Sequence, residues 1–435
     1  MARLTTSLTA QVRRLVLSRA SRGGIDLSRL ERVPASLSWP LQRNGVDPVE
    51  RLAELRETDP VARLTSFLGI TVWVVSGQAE ARQVLADTSS YSTDIRPYMG
   101  RRGSTTDGDI GGLGFTDPPE HTRLRRLLTP EFTMRRLERL RPRIAEIVEA
   151  QLDEMEQTAA VNGTVDLVPA FAFPVPFLVI CELLGLPDED RDTFRSLGSA
   201  RFDVSTGGTG VFGAVSGSRS FLMEAVRRQR SDPGPGLIGQ VIREHGEEIN
   251  DFDLAGLADG VFTGGLETSA SMLALGTSVL LDRPQDYRRV AEDPTAVDRT
   301  VEELLRYLSV VQIAFPRFPL HDVELGGHTV RQGDVVICQL AGANRDHRLA
   351  GSAGGFDAAR VGGPHLAFGH GFHRCVGAEL ARMELRTAFP ALARRFPDLA
   401  VATEQLDYRQ VSIVFGVESL PVRLHQAEPA LADRV

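Results

Sequence analysis

Residues 368–377 read FGHGFHRCVG, a stretch that sets one cysteine, Cys375, among glycines. The chain has two other cysteines, Cys181 and Cys338, and each stands in an apolar run, where a lone cysteine is usually a small buried side chain. Cys375 instead follows a loop too rich in glycine to be a core strand. It opens the run CVGAELARMELRTAFPALARRF, whose apolar residues recur at helical spacing. The sequence therefore predicts that Cys375 lies where a helix starts.

The chemistry of such a position favours a thiolate that binds a single metal ion. The start of a helix offers free backbone N–H groups and the positive end of the helix dipole, and both stabilise negatively charged sulfur. Glycines at 369, 371 and 377 let the backbone approach the sulfur closely. Zinc fits poorly because no second cysteine lies nearby, although His370 and His373 are close. One thiolate on one metal points to haem, in which the porphyrin supplies the equatorial ligands.

Length and composition describe an ordinary globular protein. The chain has 435 residues, of which 42% are hydrophobic and 24% charged, and its net charge of -8 argues against nucleic acid as a general partner. The most apolar run begins at Leu167 but contains interior prolines and Glu182, so it predicts a loop and a buried helix rather than a membrane span. The widely separated cysteines predict no disulfides, as expected of a cytoplasmic protein.

Helical periodicity dominates the chain, and we expect one large, mainly α domain over residues 41–435. The stretch 323–340, VELGGHTVRQGDVVICQL, predicts a β-hairpin because glycines separate β-rich runs. Residues 1–40 form a leader segment of open role, whose basic, Ser- and Thr-rich composition fits a loosely attached helix better than a transit peptide. Two glycine-rich stretches, 90–119 and 205–220, are predicted loops, either functional or simply disordered surface.

The cysteine loop resembles the haem-binding loop of the cytochrome P450 family, of the soluble bacterial type. That family's pattern is Phe, two residues, Gly, one residue, His or Arg, one residue, Cys, one residue, Gly. Phe368, Gly371, His373, Cys375 and Gly377 match every fixed position. The resemblance implies a mainly α (α+β) fold with small antiparallel sheets, and haem b bound between a long central helix and this loop. It implies Cys375 as the iron ligand and Phe368, His373 and Gly377 as further haem contacts.

A second motif is EELLRY, residues 302–307. Its Glu303 and Arg306 are three residues apart, which puts them on one helix face where they can pair. In the family this pair joins a later arginine to brace the haem-binding core, and Arg360 is the candidate for that arginine.

A third motif is GGLETS, residues 264–269. In the family a small residue, Gly, any residue, an acid, Thr and then Thr or Ser occur on the long central helix. Adjacent glycines weaken a helix, by about 1 kcal/mol each relative to alanine, and Thr268 can bond back to the carbonyl of Gly264. The resemblance implies that Gly264 lies against haem and that Glu267 and Thr268 are the catalytic residues that deliver protons to bound oxygen.

A fourth motif, DPPEHTRLRR at residues 117–126, places His121 and Arg125 on one helix face. Haem carries two propionates, and buried carboxylates need charged or hydrogen-bonding partners. The resemblance implies that His121, Arg125, Arg317 and His373 bind them.

The implied activity is that of a monooxygenase, which inserts one oxygen atom of O2 into a C–H bond of a small, mostly apolar substrate such as a natural-product intermediate. The implied electron donors are a ferredoxin and a ferredoxin reductase. We expect a cytoplasmic monomer with neither a nucleic-acid nor a membrane partner. By the same correspondence the pocket draws on the loop after Ser90, a mobile lid near Gly207, and the segments Val310–Phe315 and Val411–Phe415.

Two alternatives stay open at this point. One is a family member with altered chemistry, such as oxidative ring coupling, use of peroxide, nitration or reduction of nitric oxide. The other is a haem-binding sensor or carrier without turnover. The pair of Glu267 and Thr268 favours turnover, because binding alone needs neither group.

Overall fold

The computed structural model describes residues 35–67, 69–95, 113–202, 217–348, 354–409 and 411–425. Helices predominate in these ranges, as the sequence predicts. The described helices are α1 (Ala35–Ser38), α2 (Glu50–Thr58), α3 (Gln78–Ala86), α4 (Glu120–Leu128), α5 (Met134–Leu137), α6 (Arg141–Asn162), α7 (Pro174–Leu184), α8 (Asp188–Phe202), α9 (Gly217–Ser231), α10 (Leu237–His245), α11 (Asp251–Leu281), α12 (Pro284–Glu292), α13 (Pro294–Leu308), α14 (Leu340–Ala343) and α15 (Ala378–Arg395). The described strands are β1 (Arg43–Asn44), β2 (Asp47–Pro48), β3 (Val61–Phe67), β4 (Ile70–Val75), β5 (Tyr91–Ser92), β6 (Val165–Asp166), β7 (Phe318–Pro319), β8 (Val323–Leu325), β9 (His328–Val330), β10 (Val335–Cys338), β11 (Ala400–Val401) and β12 (Pro421–Arg423).

The long helix α11 is the axis of the fold. It has 31 residues, about 46 Å at the rise of an α-helix. Asn250 caps its start, where the side-chain oxygen accepts a hydrogen bond from the Asp253 N–H at 2.7 Å. Every residue from Ser271 to Leu280 is buried, and α7, α9, α13 and α15 all pack against α11. The GGLETS motif, near the middle of α11, is thus followed by a fully buried stretch of the same helix.

Helix α15 gives the cysteine loop its support. It begins at Ala378, directly after the loop, and most of its residues are buried. It packs against α6, α11, α12 and α13. The Tyr287 hydroxyl on α12 donates to the carbonyl of Phe396 just beyond the end of α15, at 3.0 Å. The loop therefore leads directly into a helix that packs against several other helices of the core.

The sheets are small, and their pairing is antiparallel with one exception among the described strands. Strands β8 and β9 form the predicted hairpin around Gly326 and Gly327, which both have positive φ angles. Strand β10 does not extend this hairpin. It pairs with β4 in parallel, Val335 opposite Val72. Parallel strands need a long connection, and these two lie far apart in the chain.

The segment before the first sheet packs onto the domain. Trp39, Pro40 and Leu41 are buried, and the side chain of Gln339 donates to the carbonyl of Pro40 at 2.9 Å. Residues 1–34 of the predicted leader segment 1–40 lie outside the described residues, so the role of this segment stays a prediction.

Candidate functional site

The cysteine loop is shaped by a close approach to α3. Gly371 has a φ of +70°, and a Cβ atom there would lie 2.6 Å from the carbonyl oxygen of Leu85. Only glycine fits both the conformation and the contact. The Cys375 N–H donates to the Phe368 carbonyl at 2.9 Å, which closes the loop. The sequence prediction that Cys375 precedes a helix start is confirmed, since Gly377 is the residue before α15.

The three cysteines differ in the way that their sequence contexts predict. Cys181 and Cys338 are buried, and burial raises the pKa of each thiol to about 12. Cys375 is exposed to solvent. Surrounding protein atoms still raise the pKa of its thiol, while the Gly377 N–H and the guanidinium of Arg125 act to lower it. In the described part of the chain, no group of three or more His, Cys, Asp or Glu side chains is placed to hold a metal ion.

His121 lies beside the loop and forms a pair with His373, which belongs to the loop. His121 is fully buried, and no described residue binds either of its ring nitrogens. Its ring centroid lies 4.4 Å from that of His373, whose Nδ1 is 3.1 Å from the carbonyl oxygen of Leu113. Burial and the charge of Arg125 lower the pKa of His121 to about 4. Burial, Arg317 and His121 lower the pKa of His373 to about 3. A buried histidine with two unpartnered nitrogens is costly unless a ligand pairs with it.

Two arginines complete this cationic cluster, which we define as His121, Arg125, Arg317 and His373. Arg125 donates to the carbonyl of Arg374, the residue before the cysteine, at 2.7 Å. Arg317 is buried, with 4% of its surface exposed, and donates to the Phe315 carbonyl at 2.7 Å. Burial lowers the pKa of both guanidinium groups. At neutral pH the two guanidinium groups carry the positive charge of this cluster, because both imidazoles have a low pKa. Guanidinium groups are strong partners for the carboxylates of a dianionic ligand.

At the GGLETS motif, one face of α11 carries no side chain because Gly264 lies there. Gly264 is exposed in the middle of the helix, and a Cβ atom there would meet nothing within 4 Å. Gly265 faces the other way, where a Cβ atom would lie 3.0 Å from Cδ1 of Ile180. The Thr268 hydroxyl donates to the Gly264 carbonyl at 2.7 Å. This bond confirms the predicted back-bonding, and the bare surface at Gly264 leaves room for a flat ligand.

Glu267 has a partner that the sequence analysis missed. Its Oε1 lies 2.9 Å from Nη1 of Arg409, and the Nε of Arg409 lies 3.2 Å from Oε1 of Glu418. Burial raises the pKa of Glu267, Glu418 raises it further, and Arg409 opposes both effects. Glu267 and Arg409 are 142 positions apart, so no local pattern could have paired them.

A second missed contact joins the two helices of the site. The Ser269 hydroxyl donates to Oε2 of Glu384 at 2.7 Å, and both residues are buried. Glu384 lies on α15, and burial raises the pKa of its carboxyl to about 8. This bond ties the residue after Thr268 to the helix that starts beside Cys375. The sequence offered one signal for this contact, because Glu384 is an acidic residue on the otherwise apolar face of the helix α15.

The predicted brace is present. Glu303 binds the Arg306 guanidinium through two hydrogen bonds of 2.7 Å. The Nε of Arg360 lies 3.0 Å from Oε2 of Glu303. The carboxylate side chain is 1% exposed, and Arg306 also donates to the Asn344 carbonyl at 2.8 Å. The brace therefore links α13 to the segment that leads into the cysteine loop.

Two of the four predicted pocket segments are neighbours in the structure. Val311 pairs with Val414 in an antiparallel bridge, and the Gln312 N–H donates to the Ile413 carbonyl at 2.9 Å. Phe315 is exposed, and its ring centroid lies 4.7 Å from that of Phe115. The segment 96–112 and the lid around Gly207, residues 203–216, lie outside the described residues.

The residues of the site fit haem. The exposed Cys375 thiol offers one soft ligand to iron. His121 offers unpartnered nitrogens, and the cationic cluster around it suits two propionates. Gly264 leaves an unfilled helix face.

Comparison with known proteins identifies the family. The "Cytochrome P450" family model matches residues 31–194 and 236–410. The chain is 38% identical over 394 residues to "Cytochrome P450 FAS1" of Rhodococcoides fascians, a match that covers 89% of this chain and 98% of that protein. It is 37% identical over 391 residues to "Cytochrome P450 monooxygenase PikC" of Streptomyces venezuelae, with 89% and 93% covered. One similar solved structure is that of "OxyC a Cytochrome P450 Implicated in an Oxidative C-C Coupling Reaction During Vancomycin Biosynthesis". It has a TM-score of 0.76 and 36% identity, and the match covers 87% of this chain and 95% of that chain.

The chain belongs to the cytochrome P450 family. It is a haem-dependent monooxygenase with the fold of that family, and it acts with O2 on a small-molecule substrate. Within the described ranges, no helix has the length and apolar character needed to cross a lipid bilayer.

Proposed function

We propose that this enzyme inserts one oxygen atom of O2 into a C–H bond of a small, mostly apolar natural-product intermediate. The observation that carries the proposal is the placement of the Thr268 hydroxyl on the bare face of α11 at Gly264. The contact of the next residue, Ser269, with α15 ties this face to the helix of the cysteine. A non-catalytic haem carrier needs no proton donor beside its cofactor.

The residues that would hold the cofactor, haem b, follow from the site. Cys375 would bind the iron, and the cationic cluster would bind the propionates. Phe368 and Gly377 would flank the sulfur: a Cβ atom at 377 would lie 3.9 Å from it. When bound, haem would supply the activation of O2 at its iron. Binding would also place carboxylates beside His121 and His373, which would raise the pKa of both imidazoles from their present low values.

The proton chemistry would fall to Glu267 and Thr268. The Thr268 hydroxyl donates a hydrogen bond to the Gly264 carbonyl, so its oxygen lone pairs stay free to accept a hydrogen bond from water. Glu267 is part-exposed, with 22% of its side chain accessible, and can exchange protons with solvent. The two residues adjoin, so Glu267 would take protons up and Thr268 would order the water that passes them on.

The substrate class rests on the pocket wall. Val311, Val414 and the exposed ring of Phe315 present apolar surface, which suits an apolar ligand with few polar groups. A ferredoxin and its reductase would supply electrons to a cytoplasmic monomer. Oxidative coupling of aromatic rings is the second candidate, favoured by the similarity to the OxyC structure.

Product analysis under isotope-labelled O2 separates these functions. Compounds that shift the haem absorption band would be selected first, and their products would be read by mass spectrometry. Gain of one labelled oxygen atom supports the proposal, while loss of two hydrogens without labelled oxygen supports coupling. Spectral shifts with no product from any compound would contradict both and favour a sensor.

A further inference from the structure

The stem of one hairpin near the C-terminus fixes Arg409. We define this stem, the C-terminal stem, as residues 407–409 and 416–418. Tyr408 pairs with Val417 in an antiparallel bridge. The Arg409 N–H donates to the Gly416 carbonyl at 2.9 Å, and the Glu418 N–H donates to the Asp407 carbonyl at 2.9 Å. The backbone of Arg409 is therefore held by a paired structure rather than by a free loop.

The Arg409 side chain fills a space that Gly416 leaves open between the stem and α11. A Cβ atom at 416 would lie 3.5 Å from Nη1 of Arg409 and 2.8 Å from Oγ of Ser271 on α11. The guanidinium reaches Oε1 of Glu267 at 2.9 Å. Both side chains are mostly buried, with 18% and 22% exposed. Such a charge pair is better shielded from solvent than a surface ion pair, so its geometry is expected to persist.

The same hairpin continues into the apolar wall. Beyond the stem, the Phe415 N–H donates to the Val310 carbonyl at 2.7 Å, and Val414 pairs with Val311. The Tyr408 ring stacks on Phe415 with centroids 5.6 Å apart. One short hairpin thus carries both a wall of the proposed substrate pocket and the partner of the proposed proton-delivering acid.

We propose that Arg409 is a positioning residue, which holds Glu267 by Oε1 so that the carboxylate keeps the orientation needed to pass protons toward Thr268. No described residue binds the second oxygen, Oε2, which is therefore the atom that would carry the proton. The inference rests on the proposed function of Glu267. It adds that the C-terminal stem, through Arg409, sets how well oxygen activation is coupled to product formation.

The charged groups that act on Glu267 belong to the stem. Arg409 favours the ionised carboxylate, whereas Glu418 disfavours it. Glu384, on the packed helix α15, is turned to Ser269. Arg409 contacts Glu418 at 3.2 Å through Nε, without an aligned hydrogen bond. Glu418 is half exposed, so it can be changed with little effect on packing.

The first test measures product formed per electron pair consumed. Arg409→Gln is expected to lower this ratio. The loss should be smaller than the roughly 10²- to 10⁴-fold that a general acid–base group itself contributes to a reaction rate. Arg409→Lys keeps the positive charge and should recover part of the loss. In a Glu267→Gln background, Arg409→Gln should add nothing, because residues that act through one another are non-additive. Equal losses in both backgrounds would overturn the inference.

The second test reads Glu267 without turnover. Infrared spectra of the haem-loaded ferric protein, recorded against pH, follow the carbonyl stretch of the protonated carboxyl group, assigned by its loss in Glu267→Gln. Arg409→Gln should move this titration to higher pH, and Glu418→Gln should move it to lower pH. An unmoved titration in Arg409→Gln would refute the positioning role.

These outcomes separate the two proposals. If no compound yields product, the proposed function fails while the infrared titration still reports the contact. If product forms and Glu267→Gln uncouples it but Arg409→Gln does not, the inference alone fails. Thermal unfolding at the same temperature for Arg409→Gln, Arg409→Lys and the wild type would show that a lower yield of product per electron pair does not come from loss of folded protein.

Discussion

Replacing Gly371 by alanine should destabilise the cysteine loop, and the structure allows the loss in free energy of unfolding to be calculated approximately. Alanine in the left-handed conformation costs roughly 1–2 kcal/mol. At Gly371 the added Cβ atom would also lie 2.6 Å from the Leu85 carbonyl oxygen and 2.7 Å from Cα of Ala86, which are backbone atoms that cannot turn aside. Overpacking of this kind costs typically about 1–3 kcal/mol. Gly371→Ala should therefore lower the free energy of unfolding by about 2–5 kcal/mol in total.

Gly369 is the matched control in the same loop. Its φ of +69° is nearly that of Gly371, but a Cβ atom there would meet nothing within 4 Å. Gly369→Ala should cost only the conformational term of roughly 1–2 kcal/mol. Urea unfolding of both variants, followed by tryptophan fluorescence and haem absorbance, measures the difference. The reasoning is refuted if Gly371→Ala is no less stable than Gly369→Ala.

Three further predictions follow from the central helix, the brace and the buried acid. Thr268→Ala should keep haem and substrate binding but release reduced oxygen as hydrogen peroxide, and an unchanged ratio of product to electrons would show that this hydroxyl does not control protonation. Glu303→Ala should destabilise the protein by about 3–5 kcal/mol, because it leaves two arginines without their buried carboxylate. Arg360→Ala should destabilise the protein less than Glu303→Ala. The reverse order of stability in urea unfolding would contradict the role of these residues as a brace. Glu384, with a pKa raised from 4.5 to about 8, binds a proton in the folded state that the unfolded state has lost. The wild type should therefore lose stability as pH rises from about 5 to 8, by at most about 1.4 kcal/mol per pH unit. Glu384→Gln should lack this component, and equal pH profiles for the two proteins would count against it.

The sequence predicts those features of the site that depend on residues close together in the chain. The spacing of Glu303 and Arg306 predicts their pairing, and the glycines before Thr268 predict its bond to Gly264. The cysteine loop is a continuous stretch, so its residue types alone distinguish Cys375 from the two buried cysteines.

The contacts that the sequence did not reveal join distant segments. Glu267 meets Arg409 across 142 positions, and Ser269 meets Glu384 across 115. Helical periodicity shows which face of a helix is buried but not which side chain lies opposite it. Strand β10 illustrates the same limit, because its partner β4 lies in the N-terminal part of the chain and only the folded structure brings the two together.

The central claim, that Cys375 is the thiolate ligand of haem iron, is tested most directly by the absorption spectrum of the reduced carbon monoxide complex. The wild type should absorb at the position typical of thiolate-bound haem. Cys338→Ala should keep that band, because Cys338 is buried away from solvent, and Cys375→Ala should lose it. A band that survives in Cys375→Ala but disappears in Cys338→Ala would contradict the account.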